Sequence, residues 1–186
     1  RGDAHLSNDG VVSQEAGPVL GRQVVRVGWH VEGEDVFARE LLEVTAYVLA
    51  DRQLVEFASR LETTGGTVLL DGDPQHAGFH FRADDEVAAK TAKQTYYLRP
   101  DGKGDFGATR NWDAKNRNPI SVNLPWNAMS FVLGDQRYTA VYLDHPENPK
   151  EARYSERDYG RFGSYFEYTL TKESPLEVNY RLGLYP

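Results

Sequence analysis

The side chains best able to move protons or grip a polar ligand crowd into one stretch, Tyr142-Leu-Asp-His-Pro-Glu-Asn-Pro149, which runs on through Arg153 to Arg157-Asp-Tyr-Gly-Arg-Phe162. An alternating apolar run delivers Asp144 and His145. Pro146 and Pro149 then stop the strand, because proline has no N–H to give to a sheet ladder. Beyond them a loop dense in carboxylates, guanidinium groups and amides is expected, and polar loops at strand ends on a rigid sheet are common places for sites. Asp144 next to His145 suits an imidazole held in one tautomer by a carboxylate, which is what a general acid or base requires. Asn148, Arg157, Asp158 and Tyr159 supply donors and acceptors for substrate hydroxyls. The competing reading of the same residues is a capped surface turn with ion pairs of little energetic worth.

A second group lies upstream, in Gln75-His-Ala-Gly-Phe-His-Phe-Arg82. If this segment is extended, Phe79 and Phe81 point to one face and His80 and Arg82 to the other. His76 and His80 then share a face about 13 Å apart, too far to hold one metal ion unless the chain bends. Ala77-Gly78 permits such a bend. His76 and His80 therefore join Asp144 and His145 as acid–base candidates, and Arg82 joins Arg157 as a group that orients hydroxyls or a carboxylate. No His-Glu-x-x-His, P-loop or Gly-x-Ser-x-Gly pattern is present, and Asp71-x-Asp73 lacks the rest of a calcium loop, so no motif names a metal or a cofactor.

Composition narrows the classes. The 186 residues include 11 Tyr, 8 Phe and 3 Trp, an aromatic-rich make-up suited to a packed core rather than to disorder. A net charge of −7 and the absence of basic runs argue against nucleic acid as a partner. There is no cysteine, which removes disulfides, thiol nucleophiles and thiolate metal ligands together. No apolar run approaches the roughly 20 residues a membrane helix needs, so membrane insertion is not expected. The start at Arg1-Gly-Asp and the stop at Gly183-Leu-Tyr-Pro186 read as the ends of a piece of a longer chain, here one β-sandwich domain over residues 1–186.

The elements that must position these groups are read mostly as strands. Val25, Val27, Trp29 and Val31 alternate with Arg26 and His30. Residues 37 to 62 are rich in Leu, Ala, Glu and Arg, yet period two fits them better than a helix. Leu42, Val44, Ala46 and Val48 share one face, as do Val55, Phe57, Ser59 and Leu61 after a turn near Asp51-Arg52, which predicts a hairpin. Asp71-Gly-Asp-Pro74 reads as a turn, and Asp84 to Lys93 is the one short helix expected. Arg99 to Pro119 is irregular, and regularity returns at Ile120 to Leu124. Ala128–Leu133 and Arg137–Leu143 form a hairpin around Gly134-Asp135, and Ser164–Thr171 pairs with Leu176–Leu184 through Lys172-Glu-Ser-Pro175. A dozen short strands with little helix predict an all-β, antiparallel β-sandwich.

The order Gly78-Phe-His-Phe-Arg82, then Trp126, then Leu143-Asp-His-Pro-Glu-Asn-Pro149, then Arg157-Asp-Tyr-Gly-Arg-Phe162 resembles the PmoA-like domain-of-unknown-function family of soluble bacterial proteins. The resemblance runs from about Gly21 to the end. It implies a large β-sandwich of the galactose-mutarotase supersandwich type, in which histidines and carboxylates on a concave sheet handle sugars. It also implies a His-His-Arg-Gly segment toward the N-terminus, of which Arg1-Gly2 would be the tail. The inherited methane-oxygenase name does not suit this sequence, which has neither a membrane span nor a complete copper motif.

Together these readings point to a carbohydrate-directed protein. A small-molecule or glycan ligand would meet His76, His80, His145 and Asp144 as catalytic groups, and Arg82, Trp126, Asn148, Arg157, Asp158 and Tyr159 as binding groups. The same residues also suit a non-catalytic glycan-binding or assembly module. A third reading is a His-rich metal site completed outside this chain.

Overall fold

The computed structural model describes residues 4–73 and 75–186. The expected Arg1-Gly2 motif tail and Pro74 of the expected turn lie outside them. The chain opens with four long strands, β1 (Ala4–Ala16), β2 (Leu20–Val31), β3 (Ala38–Val48) and β4 (Gln53–Thr63), each antiparallel to the next. Period two prevails over helix propensity across 38–63 because it places one apolar face on the core. Leu42 pairs with Ser59 and Val44 with Phe57, while Glu43 and Glu56 share the opposite face.

Short strands β5 (Val68–Leu70) and β6 (Phe79–Arg82) follow, then β7 (Tyr96–Arg99), β8 (Gly102–Lys103) and the hairpin β9 (Trp126–Leu133) with β10 (Gln136–Asp144). The chain closes with β11 (Arg153–Arg157), β12 (Arg161–Tyr165), β13 (Tyr168–Leu170) and β14 (Leu176–Tyr185). Nine strands form one antiparallel sheet in the order β1-β2-β3-β4-β14-β10-β9-β7-β8. Against it lie a three-stranded sheet, β11-β12-β6, and the pair β13-β5. The fold is all-β, with the layers of a sandwich.

Aromatic side chains join the layers. Phe79 stacks on Tyr180 with ring centroids 4.4 Å apart, and Phe81 and Phe162 meet Phe131, Tyr97 and Tyr142. Tyr97, Tyr142, Tyr154, Phe162 and Met129 are fully buried between the sheets. Such rings dominate core energetics through buried area. Because Phe79 and Phe81 turn inward, His80 and Arg82 necessarily face away from the large sheet.

Four expectations change. The segment Arg153–Phe162 is not a loop; it is the hairpin β11–β12, buried along most of its length. Ser164–Thr171 and Leu176–Leu184 are not partners. The first breaks into β12 and β13, and the ten-residue β14 pairs instead with the long strands β4 and β10. The short helix near Asp84–Lys93 is a π turn over Val87–Thr91 running into a 3-10 turn over Ala92–Gln94. Ile120–Leu124 begins as a 3-10 turn over Pro119–Ser121, with one bridge from Val122 to Arg153.

Candidate functional site

A pocket of about 520 Å³ opens beside the end of β10, within the size range of small-ligand sites. Its polar lining comes from strands whose outward residues alternate with core residues. Glu43 of β3, Glu56 of β4, and Asn179 and Arg181 of β14 all contribute, and His145 and Leu143 border it. Cross-strand register sets the pairs, with Arg181 opposite Glu56 and Glu43 opposite Ala58. Trp126 stands opposite Leu143 on the next strand, extending the same face.

Glu56 is the anchor of this face. The Tyr47 hydroxyl donates to its Oε2 at 2.6 Å and Arg181 Nε donates to its Oε1 at 2.9 Å. These contacts, the tyrosine hydrogen bond first, hold its carboxyl below the usual carboxylate range against the opposing effect of partial burial. Glu56 is thus an ionised acceptor near neutral pH. Glu43 pairs with Arg22 at 3.2 Å. His145 is exposed, and its Nδ1 accepts the backbone N–H of Glu147 at 3.3 Å.

The Asp144–His145 relay does not form. Asp144 is buried and accepts from Asn148 Nδ2 at 2.6 Å and from Lys150 Nζ at 2.9 Å. His145 lies just past the end of β10, and the Asp144 oxygens are already taken by Asn148 and Lys150, so adjacency in sequence gives no contact here. Asn148 is likewise occupied. It donates to the Asn179 carbonyl at 2.8 Å and accepts the Asn179 N–H at 2.8 Å, mimicking a strand that pins the 145–150 loop to β14. Its amide is buried and not presented to a ligand.

The remaining sequence candidates lie elsewhere, on the outward face of the three-stranded sheet. His80 and Arg82 of β6 sit there opposite Gly163 and Arg161 of β12, and Arg157 of β11 lies opposite Arg161. His76 is exposed and pairs with Asp73 at 2.8 Å, whereas His80 Nε2 donates to the Ala77 carbonyl at 2.8 Å. The two rings are therefore held apart by different partners. Burial pushes the His80 imidazole down to about 4, helped by the charge of Arg161, so it is neutral at pH 7. Arg82 binds Asp85 at 2.9 Å, and Asp158 and Tyr159 form the turn between β11 and β12. His145 follows the end of β10 in the large sheet, whereas His80 is on β6 of the three-stranded sheet and His76 is in the turn before it, so the three histidines have separate settings. Among the described residues no group of three or more His, Cys, Asp or Glu side chains is placed to hold a metal ion.

Sequence reasoning missed two groups. Glu43, Glu56, Asn179 and Arg181 were visible only as the polar half of alternating strands, and their opposite charges across register are the signal that could have found them. Glu156 was hidden inside the supposed loop. It is 1 % exposed and accepts from Arg99 Nε at 2.7 Å, Asn127 Nδ2 at 3.0 Å and the Arg110 N–H at 2.7 Å, with Arg99 Nη2 closing a bidentate pair.

Fold and site define an antiparallel β-sandwich protein with a polar, ligand-sized pocket on the outward face of its large sheet. The chain belongs to the family of unknown function DUF6807, whose sequence pattern matches residues 2–186. No curated protein matches it. No helix among the described residues is long and apolar enough to cross a membrane.

Proposed function

We propose that this protein is carbohydrate-directed and that the pocket beside His145 receives a saccharide. One observation carries the reading: the pocket joins ionised Glu56, the Arg181 guanidinium, the Asn179 amide and the His145 imidazole around an apolar edge at Leu143 and Pro146. Sugar hydroxyls pair with carboxylate, guanidinium and amide in this way, and sugar C–H faces rest on apolar or aromatic edges such as Leu143 and Trp126. The resemblance to PmoA-like proteins and the mutarotase-type sandwich it implies support the same class by analogy.

His145 is the group proposed to exchange a proton with a bound sugar: its Nδ1 accepts the Glu147 N–H, which leaves Nε2 to carry the proton toward the pocket. A non-catalytic glycan-binding module is the second reading. It is favoured by the engagement of Asp144 with Asn148 and Lys150, which leaves that carboxylate unable to orient His145. The test is binding and turnover of a panel of neutral mono- and oligosaccharides by the wild type, His145→Ala and Arg181→Ala, with thermal melts alongside. A sugar ligand whose affinity falls at least tenfold in Arg181→Ala supports the pocket. Turnover lost in His145→Ala with binding retained supports catalysis. Sugar binding indifferent to both substitutions, or no sugar binding at all, refutes the reading.

A further inference from the structure

Three arginines stand side by side on the outward face of the three-stranded sheet. Arg82, Arg161 and Arg157 occupy one register row across β6, β12 and β11. Like charges directly opposite on neighbouring strands repel, so such a row needs negative charge close by. Only part of that need is met among the described residues. Arg82 has Asp85 at 2.9 Å, whereas Arg157 and Arg161 form no ion pair there. The nearby Asp73 already holds His76 and the Gln75 N–H, and Asp158 is exposed in the turn.

Arg161 is the centre of the row and the anomaly. It is 9 % exposed, yet its Nε and Nη2 are buried without an acceptor among the described residues. Leaving buried charged donors unpaired is costly. The Tyr159 ring lies 5.8 Å from the guanidinium carbon and can satisfy a face of the group but not its donor edge. The same molecule shows what that edge is suited to. Arg99 turns its Nε and Nη2 onto the two oxygens of Glu156, the side-on, bidentate geometry that matches a planar carboxylate.

Next to Arg161, on the diagonal of the sheet, lies a second unpaired atom of opposite kind. His80 spends its Nε2–H on the Ala77 carbonyl, which leaves Nδ1 as an acceptor, buried and without a donor among the described residues. The ring is close to β12, since a Cβ on Gly163 would come 2.8 Å from His80 Cγ. Diagonal neighbours on a sheet are about 7–8 Å apart, a few bonds of a small ligand.

From these two unmatched atoms we infer that the face of β6-β12-β11 is a binding site for a hydroxycarboxylate of the sugar-acid type. The carboxylate would bind side-on to Arg161 Nε and Nη2 between Arg82 and Arg157, with a hydroxyl donating to His80 Nδ1. This site is on the other sheet from the His145 pocket and stands independently of it.

The experiment is calorimetric titration with D-galacturonate, its uncharged methyl ester, acetate and inorganic phosphate at matched ionic strength, together with methyl α-D-galacturonide to separate a free sugar acid from a uronide residue. D-galacturonate or its methyl glycoside is expected to bind, the methyl ester and acetate at least tenfold more weakly. Arg161→Lys, which keeps the charge but loses the bidentate edge, should weaken binding at least tenfold. Arg157→Gln, on the half-buried rim, should weaken it by a smaller factor. Arg161→Met should abolish binding while leaving the melting temperature equal or higher, because an unpaired buried charge has been removed. The assignment is overturned if no sugar acid binds, if phosphate binds and carboxylates do not, if the methyl ester binds as well as the acid, or if Arg161→Lys and Arg157→Gln bind like wild type. Neutral sugars report on the His145 pocket, so the two readings fail separately.

Discussion

Glu156 is where the chemically rich hairpin can be tested as structure rather than as catalytic machinery. Glu156→Gln keeps the shape of the side chain but removes its charge, and it turns an amide N–H₂ or a single carbonyl toward the buried Arg99, which is 8 % exposed. Removing one partner of a buried pair costs about 3–5 kcal/mol, because the other charge is left without compensation. The Arg110 N–H and Asn127 amide also lose part of their acceptor, which places the cost toward the upper end. Whole domains are stable by about 5–15 kcal/mol, so the variant should be folded but much weakened. With about 2–4 °C per kcal/mol for a chain of this size, the melting temperature should drop by roughly 6–20 °C. Urea denaturation of wild type, Glu156→Gln, Arg99→Met and the double variant Glu156→Gln/Arg99→Met measures this as a cycle. The double variant should recover part of the loss, since neither charge is then left without its partner, while the Arg110 N–H and Asn127 amide keep the carbonyl of the introduced amide as a weaker acceptor. Either a Glu156→Gln melt within about 1 kcal/mol of wild type, or a ligand-binding defect in that variant at unchanged stability, would refute the structural reasoning.

Other outcomes follow from the same contacts. His80, at about 4 in the folded chain against an ordinary value near 6.5, leaves the unfolded chain with more bound protons between those values. Stability should therefore fall as pH drops from 6.5 toward 4, by up to about 3 kcal/mol, and His80→Gln should flatten that slope in pH-dependent melts. Gly163→Ala would put a Cβ 2.1 Å from the Phe79 carbonyl oxygen, so β6 cannot keep its place beside β12. A loss of at least about 3 kcal/mol is expected in urea titration. Asp144→Asn removes a charge from Lys150, but that ammonium is 39 % exposed and can return to water. Its cost should be only about 1–2 kcal/mol, well below that of Glu156→Gln in the same denaturation assay.

The fold class, the hairpin over 37–62 and the faces of Phe79/Phe81 and His80/Arg82 were legible in the chain because side-chain alternation is a local, period-two property. Leu42, Val44, Phe57 and Leu61 needed only a core on one side to select strand over helix. The outward position of His80 followed from the inward position of its two phenylalanine neighbours. Pairing between distant strands was not legible in this way. Nothing near Leu176 says that β14 bridges β4 and β10 rather than folding back on β13, since that choice depends on the length and register of distant strands, one of them more than 100 residues upstream. Chemistry depends on such choices. Asp144 and His145 are adjacent in the chain yet bind different partners, while Glu56 and Arg181 are far apart in the chain and share a hydrogen bond. Burial also depends on the assembled layers: hydrophilic Glu156 and Arg161 read as surface residues, and the packing of one sheet on the other leaves the first fully paired and the second, among the described residues, without an acceptor at Nε and Nη2. Local pattern determines which way a side chain points, and only the packed sheets determine what it meets.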